Sequence, residues 1–564
     1  MSDHREDEAT PPPRPRVLAW AIAGAVLLWL AQPPVGLWPL AWFAPVFWLR
    51  LTTMAAPFRK WDYVRFWVGS TLYWALAVHW VCYPHPLTPL GVPPLAMYLA
   101  VYPTAMLAIT RAGHLRLGLP LWLVAPVAWT AMELLQARLF TGFLMGAVSH
   151  TQVSQAWLRS LATYGGAYAV TFAVVLVAAT LTLLWTEPDR SKRRVRVAGF
   201  VVAVLLVSTA GSLARWSVAI ESANEPPARV ALIQGDTRAT WSPDPDRNRN
   251  IMDRQTALSL EAFKRAQAAG DPLDLIVWPE SMFRAPLYTF DGSPTVPSDA
   301  DSSRAAASRN TADWFRSLTG SVRASALVGI DRFDWGTDEQ GETTVGLYNS
   351  VALADRSGTI TAVYDKMHLV PFGEYIPFAS NLPALAALTP VNSGLRAGER
   401  AVAMNVPLDG DRTLRLSPSV CYESVVPRVI RRHVVELTDN GDRPDALVNV
   451  TFDAWFWGSS ELDMHLACGV FRAVEHGLPL LIAANGGLSA VIDATGEVLQ
   501  VSPRMEEHVL LANVPPKSAA ATFYTRYGDL FAGTCLTGCG LIVVGCYARR
   551  SSRTDSADPT ASQP

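Results

Sequence analysis

The balance of apolar and polar positions changes four times along the chain. Residues 1–16 are polar and proline-rich (Pro11-Pro12-Pro13-Arg14-Pro15-Arg16), which predicts a disordered tail. Residues 17–215 then carry seven apolar runs, at roughly 17–34, 37–53, 66–84, 92–110, 119–137, 164–185 and 196–213. Each is near the roughly 20 residues a helix needs to cross a bilayer. Residues 220–520 return to globular composition. An eighth apolar run, 530–547, fills the segment 528–548, and a polar tail, 549–564, is predicted to be disordered.

Within 220–520 the periodicity alternates between strand and helix. Strands are predicted at 229–234, 275–278, 324–330, 446–451, 480–484 and 488–492, and helices at 246–268, 306–319 and 459–476. Residues 343–366 read as a hairpin turning at Asp355-Arg356-Ser357-Gly358, and Asp493-Ala494-Thr495-Gly496 as a second turn. Pro279 is expected to end its strand. This order fits a layered α/β or α+β sandwich.

Composition and charge add a membrane and an orientation. Half the residues are hydrophobic, 17% are charged and 20 are tryptophan, too apolar for an ordinary soluble enzyme. The net charge of -2 argues against nucleic acid as a partner. Arg14 and Arg16 precede the first run, Arg59 and Lys60 follow the second, Arg111 and Arg116 the fourth, and Arg190 to Arg196 the sixth, while the alternate loops are poor in basic residues. The positive-inside rule therefore puts the N-terminus in the cytoplasm and 220–520 on the far side, with Arg549 and Arg550 marking the return. Of the six cysteines, Cys82, Cys535, Cys539 and Cys546 lie in apolar segments, so no disulfide framework is expected. Cys535 and Cys539 share a helical face but lack further metal ligands, and no metal or organic cofactor is implied.

Three stretches carry the candidate chemistry. The segment 417–424 delivers Cys421 from an apolar strand to a turn, 275–280 ends in Glu280, and 364–375 holds Lys366 among apolar and aromatic residues. A thiol, a carboxylate and an amine are the parts of an acyl-transfer site: nucleophile, base and oxyanion stabiliser. Taken singly, each has an ordinary reading. Cys421 alone reads as a buried small side chain, Glu280 as a cap or surface acid, Lys366 as a snorkelling lysine and Glu374 as a surface acid. His368 and His465 are candidate bases, but His465, on a helix with Asp463, reads more simply as solvated. Two ionisable residues fall within apolar runs, His79 and Glu133, the latter expected to tie helices together or to lie beside Arg138. Neither a phosphate-binding glycine loop nor a His-Glu-x-x-His pair is found.

The order Trp278-Pro279-Glu280, then Lys366 ahead of His368-Leu369-Val370-Pro371-Phe372-Gly373-Glu374-Tyr375, then Cys421-Tyr422-Glu423 is similar to the nitrilase superfamily. With the apolar runs, and with Thr141-Gly142-Phe143, Asp453-Ala454-Trp455-Phe456, Arg472-Ala473-Val474-Glu475 and Asn485-Gly486-Gly487, the chain resembles bacterial apolipoprotein N-acyltransferases. That resemblance implies a bundle of eight transmembrane helices plus an extracytoplasmic α+β nitrilase-like αββα sandwich. It implies Glu280 as base, Lys366 as oxyanion stabiliser and Cys421 as nucleophile, with Glu374, Tyr422 and Glu423 near the site and Trp241 at the substrate entrance. The implied partners are a phospholipid acyl donor, a diacylglyceryl-modified apolipoprotein acceptor and the bilayer. The implied state is a monomer in the bacterial inner membrane with its catalytic domain on the periplasmic side. Leu144-Met145, Phe452, Trp457 and Ile482 depart from the family pattern. The rivals are a membrane-tethered amidase with the same triad and a catalytically idle membrane scaffold or transporter. The apolar loop 376–388 is expected to form a lid that touches the bilayer, which Asp at Leu385 and Leu388 would test.

Overall fold

The computed structural model describes residues 16–218, 220, 226–242, 244–290, 293, 302–337, 343–377 and 394–555. Most of the predicted lid, with Leu385 and Leu388, and most of both predicted tails lie outside these residues.

Twelve described strands form two sheets. They are β1 (Arg229–Gln234), β2 (Leu275–Phe290), β3 (Ser325–Thr337), β4 (Thr343–Ala354), β5 (Ile360–Asp365), β6 (Met404–Pro407), β7 (Thr413–Val420), β8 (Ala446–Phe452), β9 (Leu480–Asn485), β10 (Ala490–Ile492), β11 (Val498–Val501) and β12 (His508–Asn513). The first sheet runs β12-β1-β2-β3-β4-β5 and the second β11-β10-β9-β8-β7-β6. In each the central trio is parallel and the flanking pairs antiparallel.

Strand alternation sorts the side chains into layers. Val230 and Leu232 on β1 share one core with Leu416 and Val420 on β7 and with Val448 and Val450 on β8, so the sheets face each other. Ala231 and Ile233, pointing the other way, pack with Ile251 and Leu258 of helix Arg247–Ala268 and with Phe315 of helix Ser302–Val322. On the second sheet Leu447 and Ile482 meet Ile430 and Val434 of helix Pro427–Asp439 and Val470 of helix Glu461–His476. Strands buried on both faces have no polar side to show, which is why their sequences read as continuous apolar runs.

The apolar N-terminal part is helical. Helices Thr88–Arg116, Ala167–Thr186, Arg190–Ser217 and Leu530–Arg550 are long and apolar enough to cross a membrane, and Val17–Ala31 and Leu121–Gln136 are shorter apolar helices. The second predicted run breaks into a 3-10 turn, Trp38–Trp42, and a helix, Ala44–Thr52, of only nine residues. Helix Lys60–Ala77 begins with Lys60, Asp62 and Arg65 and ends before His79, whose Nδ1 lies 2.8 Å from the Leu76 carbonyl oxygen. The last helix continues to Asp555, beyond the predicted start of the C-terminal tail.

Buried polar bonds tie the helical part together and to the sheets. Glu133 accepts from the Val148 N–H at 3.0 Å and from Thr171 Oγ1 at 2.7 Å, linking two helices. Arg138 pairs with Asp529 instead. Glu475, locked to Arg472, accepts from the Ala167 N–H at 2.9 Å, at the first turn of helix Ala167–Trp185. That turn has unpaired amides and the positive end of the helix dipole, so a buried carboxylate there is well placed.

Candidate active site

The candidate carboxylate stands in an interruption of β2. Pro279 does not end the strand. β2 runs on to Phe290, and its pairing with β3 breaks between Trp278 and Phe283. Proline has no N–H for the ladder, so it sits in the gap without cost to pairing. Ser281 has a φ of 52° there. The bulge fits because position 329 on β3 is glycine: a Cβ would stand 2.4 Å from the Pro279 carbonyl oxygen and 2.5 Å from Glu280 Cα. Bulges re-aim side chains. This one leaves Glu280 buried, with Oε1 accepting from Asn349 Nδ2 at 2.7 Å and Oε2 from the Phe452 N–H at 2.9 Å.

Lys366 follows β5, its N–H bound to the Asn349 carbonyl at 2.8 Å. Its side chain is 1% exposed, which removes the snorkelling reading. Nζ lies 2.7 Å from Glu374 Oε1 and 3.6 Å from Glu280 Oε1. Burial alone pushes the ammonium pKa down, but Glu374 and Glu280 outweigh it and the net shift is upward. Lys366 is therefore a cation between two carboxylates. Glu374 is steadied by the Val370 N–H on Oε2, at 2.8 Å, so it is a partner of the lysine and not a free surface acid.

Cys421 stands one residue past β7 with φ 50°, a region that costs any residue but glycine. Its carbonyl oxygen accepts from Asn449 Nδ2 at 3.3 Å and Ser424 Oγ at 3.2 Å, and lies 3.2 Å from His465 Nε2. The residue keeps part of its surface open. Burial pushes the thiol pKa well above its ordinary value; Glu280 adds to the rise and Lys366 opposes it. After burial, then, the two groups that act most on this sulfur are the carboxylate and the amine that the sequence pairs with it.

Glu423 binds the two loops together. Its carboxylate accepts from the Val420, Met367 and His368 N–H groups at 2.8, 2.7 and 3.0 Å and from Tyr364 Oη at 2.8 Å. Glu423→Gln must turn an amide N–H₂ toward at least one of these buried donors. An orphaned buried donor costs about 1–3 kcal/mol. We expect a lower midpoint in denaturant melts of the purified protein, and an unchanged midpoint would argue against this role.

Tyr422 reaches the helical part, its hydroxyl donating to the Gly142 carbonyl at 2.7 Å. Gly142 has φ 92°, and a Cβ there would lie 2.2 Å from the Ala137 carbonyl oxygen, so the turn accepts no other residue. Trp241 is half-exposed, donates from Nε1 to the Pro84 carbonyl at 2.7 Å, and packs against His85 and Trp455. It thus stands where the sheets meet the loop after helix Lys60–Ala77.

The sequence reading missed one group and misplaced another. Asn349, on β4, donates to Glu280, and beside Tyr348 and Ser350 nothing in the local sequence sets it apart. His465 is not solvated but 5% exposed, against the Cys421 carbonyl and Ser424. Asp463, read as its neighbour, pairs with Arg504 on the outer side.

Residues 229–524 match the carbon-nitrogen hydrolase family, and this two-sheet domain of the nitrilase kind contains all three candidate groups. Residues 24–180 match the apolipoprotein N-acyltransferase N-terminal domain. The chain belongs to the apolipoprotein N-acyltransferase family. It is 32% identical to the apolipoprotein N-acyltransferase of Geobacter metallireducens, over 94% of this chain and 95% of that one. It is 29% identical to that of Rhodopirellula baltica, over 92% and 95%. Among solved structures it is similar to an amidase from Nesterenkonia sp., 20% identical over 52% of this chain and 92% of that one, with a TM-score of 0.33.

Proposed function

We propose that the protein moves an acyl chain from a phospholipid, through a thioester on Cys421, to the N-terminal amine of a diacylglyceryl-cysteine lipoprotein. The observation that carries this reading is the meeting of Glu280, Lys366 and Cys421 in a domain braced against apolar helices. In it, residues 220–520 form an αββα catalytic sandwich held outside the bacterial inner membrane by eight crossings, seven within 17–215 and one within 528–548. A single chain suffices, since all three groups belong to one copy. The names and near-complete overlap of its relatives support the same activity.

The resting thiol is protonated, because burial raises its pKa. As sulfur attacks the donor's ester carbonyl, its proton passes to Glu280. Lys366 and main-chain N–H groups beside Cys421 stabilise the oxyanion, one such donor being worth roughly 3 kcal/mol. Glu280 gives the proton to the departing lysophospholipid oxygen, leaving the thioester. The acceptor amine then attacks that carbonyl, Glu280 takes its proton and returns it to sulfur, and an amide is released. Glu374, Tyr422 and Glu423 position these groups, and Trp241 borders the entrance.

Mass spectrometry of the purified protein with phospholipid tests the scheme. An acyl adduct on Cys421, discharged by a diacylglyceryl-cysteine peptide, is expected. Ammonia release from small amides with no adduct would favour the amidase instead, and neither outcome an idle scaffold.

The pH profile follows from Glu280. Burial raises its carboxyl pKa, with Lys366 pulling the other way and Glu374 adding to the rise. Glu280 must be ionised to take the thiol's proton, so a raised pKa removes the active form at a higher pH than an ordinary glutamate would. Acyl transfer should fall with decreasing pH through a step above the usual carboxylate value of about 4.3. A step at or below that value, in rates measured on vesicle-embedded protein, would count against Glu280 as the base.

A further inference from the structure

Behind the nucleophile lies a buried cluster that this scheme does not use. Asp453 opens the 3-10 turn after β8, and Glu461 and His465 stand one turn apart on helix Glu461–His476. They are 3, 4 and 5% exposed, and one ligand-type atom from each lies within 4.8 Å of the others. His465 Nδ1 is 3.5 Å from Asp453 Oδ1 and 3.8 Å from Glu461 Oε1. Those gaps exceed the roughly 2.7–3.2 Å of an N–H···O hydrogen bond. Glu461 Oε2, wholly buried, has no hydrogen-bond partner among the described residues. A buried carboxylate oxygen facing no donor is left unsatisfied.

We infer that Asp453, Glu461 and His465 hold a divalent transition-metal cation of the zinc kind. Ligands about 2.0–2.2 Å from a tetrahedral zinc stand roughly 3.3–3.6 Å apart, close to the spacing of Nδ1 from the two carboxylates. One imidazole and two carboxylates suit such an ion, whose charge cancels both anions. The surroundings fit as well. A metal-binding histidine usually donates its second ring nitrogen to a carbonyl or similar acceptor. Here His465 Nε2 faces the Cys421 carbonyl oxygen at 3.2 Å and Ser424 Oγ at 2.7 Å. Thr451 Oγ1 donates to Asp453 Oδ1. The ion sits on the main-chain side of Cys421 and takes no part in bond making. It braces the turn that holds the nucleophile at its unfavourable φ.

The test uses full-length protein purified in detergent without chelator. Metal content is measured by elemental mass spectrometry, then again after EDTA stripping and titration with zinc chloride. About one zinc per chain is expected, weakened at least about tenfold in Glu461→Gln. Asp463→Asn, on the same helix but paired outward with Arg504, should bind as the wild type does. Equal binding by wild type and Glu461→Gln, or binding by neither, would overturn the assignment. Cobalt(II) added to the stripped wild type avoids reliance on a variant's folding. A visible band of nitrogen–oxygen ligation supports the site, and its absence overturns it. Because binding is read directly, its failure would leave the acyl-transfer reading standing, and the reverse also holds.

Discussion

Cys421→Ala is expected to abolish both the acyl adduct and lipoprotein acylation, while the protein still folds and inserts. In the scheme the sulfur is the one protein group that forms a bond to the acyl carbon. Removing a nucleophile leaves the oxyanion donors and the binding surface, and such losses are typically on the order of 10⁴-fold or more in rate. The backbone supplies a second readout. At φ 50° a cysteine and an alanine are strained alike, whereas glycine is not. Cys421→Gly should therefore be as inactive as alanine yet more stable than it, by about 1 kcal/mol. Thermal melts of the two variants beside an acylation assay separate these effects. An alanine variant that still accumulates a phospholipid-derived adduct would place the nucleophile elsewhere and end the scheme.

The parts legible in the sequence were those written in local pattern. Buried parallel strands announce themselves as apolar runs, as the run before Glu280 does, whereas the strand before Cys421 carries Arg415, Ser417 and Ser419 and is marked more weakly. What the pattern hid was what happens after the run ends. Pro279 looks like a terminator, but Gly329, fifty residues on, leaves room for a bulge and the strand resumes. That pairing is a fact of the sheet, not of either segment. Lys366 was ambiguous for a similar reason. A lysine among apolar residues is usually exposed, and only Glu280 and Glu374, both brought in by the fold, make it buried and charged. His465 was misread because its near neighbour in sequence, Asp463, points outward, while its partners Asp453 and Ser424 come from other elements. In the helical part hydropathy found eight apolar stretches but not their breaks, such as the 3-10 turn Trp38–Trp42, because apolar residues pack equally well in bent and straight segments.

Lys366→Met tests the electrostatic centre of the site, and its cost should depend on pH. Methionine nearly matches the lysine stem in volume, so packing changes little. The charge between Glu280 Oε1 and Glu374 Oε1, 3.6 and 2.7 Å from Nζ, is lost. The buried Glu280 and the partly buried Glu374 then face each other without a cation, and breaking a buried ion pair in this way costs about 3–5 kcal/mol near neutral pH. The sign of the pH effect comes from the carboxylates. The lysine's own pKa is raised, so its stabilisation is fully present at every pH below the alkaline range and adds no slope there. In the variant, a proton taken up by the carboxylate pair relieves the repulsion, so the stability gap to wild type should narrow as pH falls. Acidification cannot restore catalysis, because the proton that repairs the fold neutralises the base and supplies no oxyanion donor. Melting curves and acylation rates for both proteins from pH 5 to pH 8 should therefore diverge. Stability recovers toward acid, whereas activity stays at least about a hundredfold low, the usual cost of one oxyanion donor. A variant that regained both together would show that Lys366 only holds the loops in place.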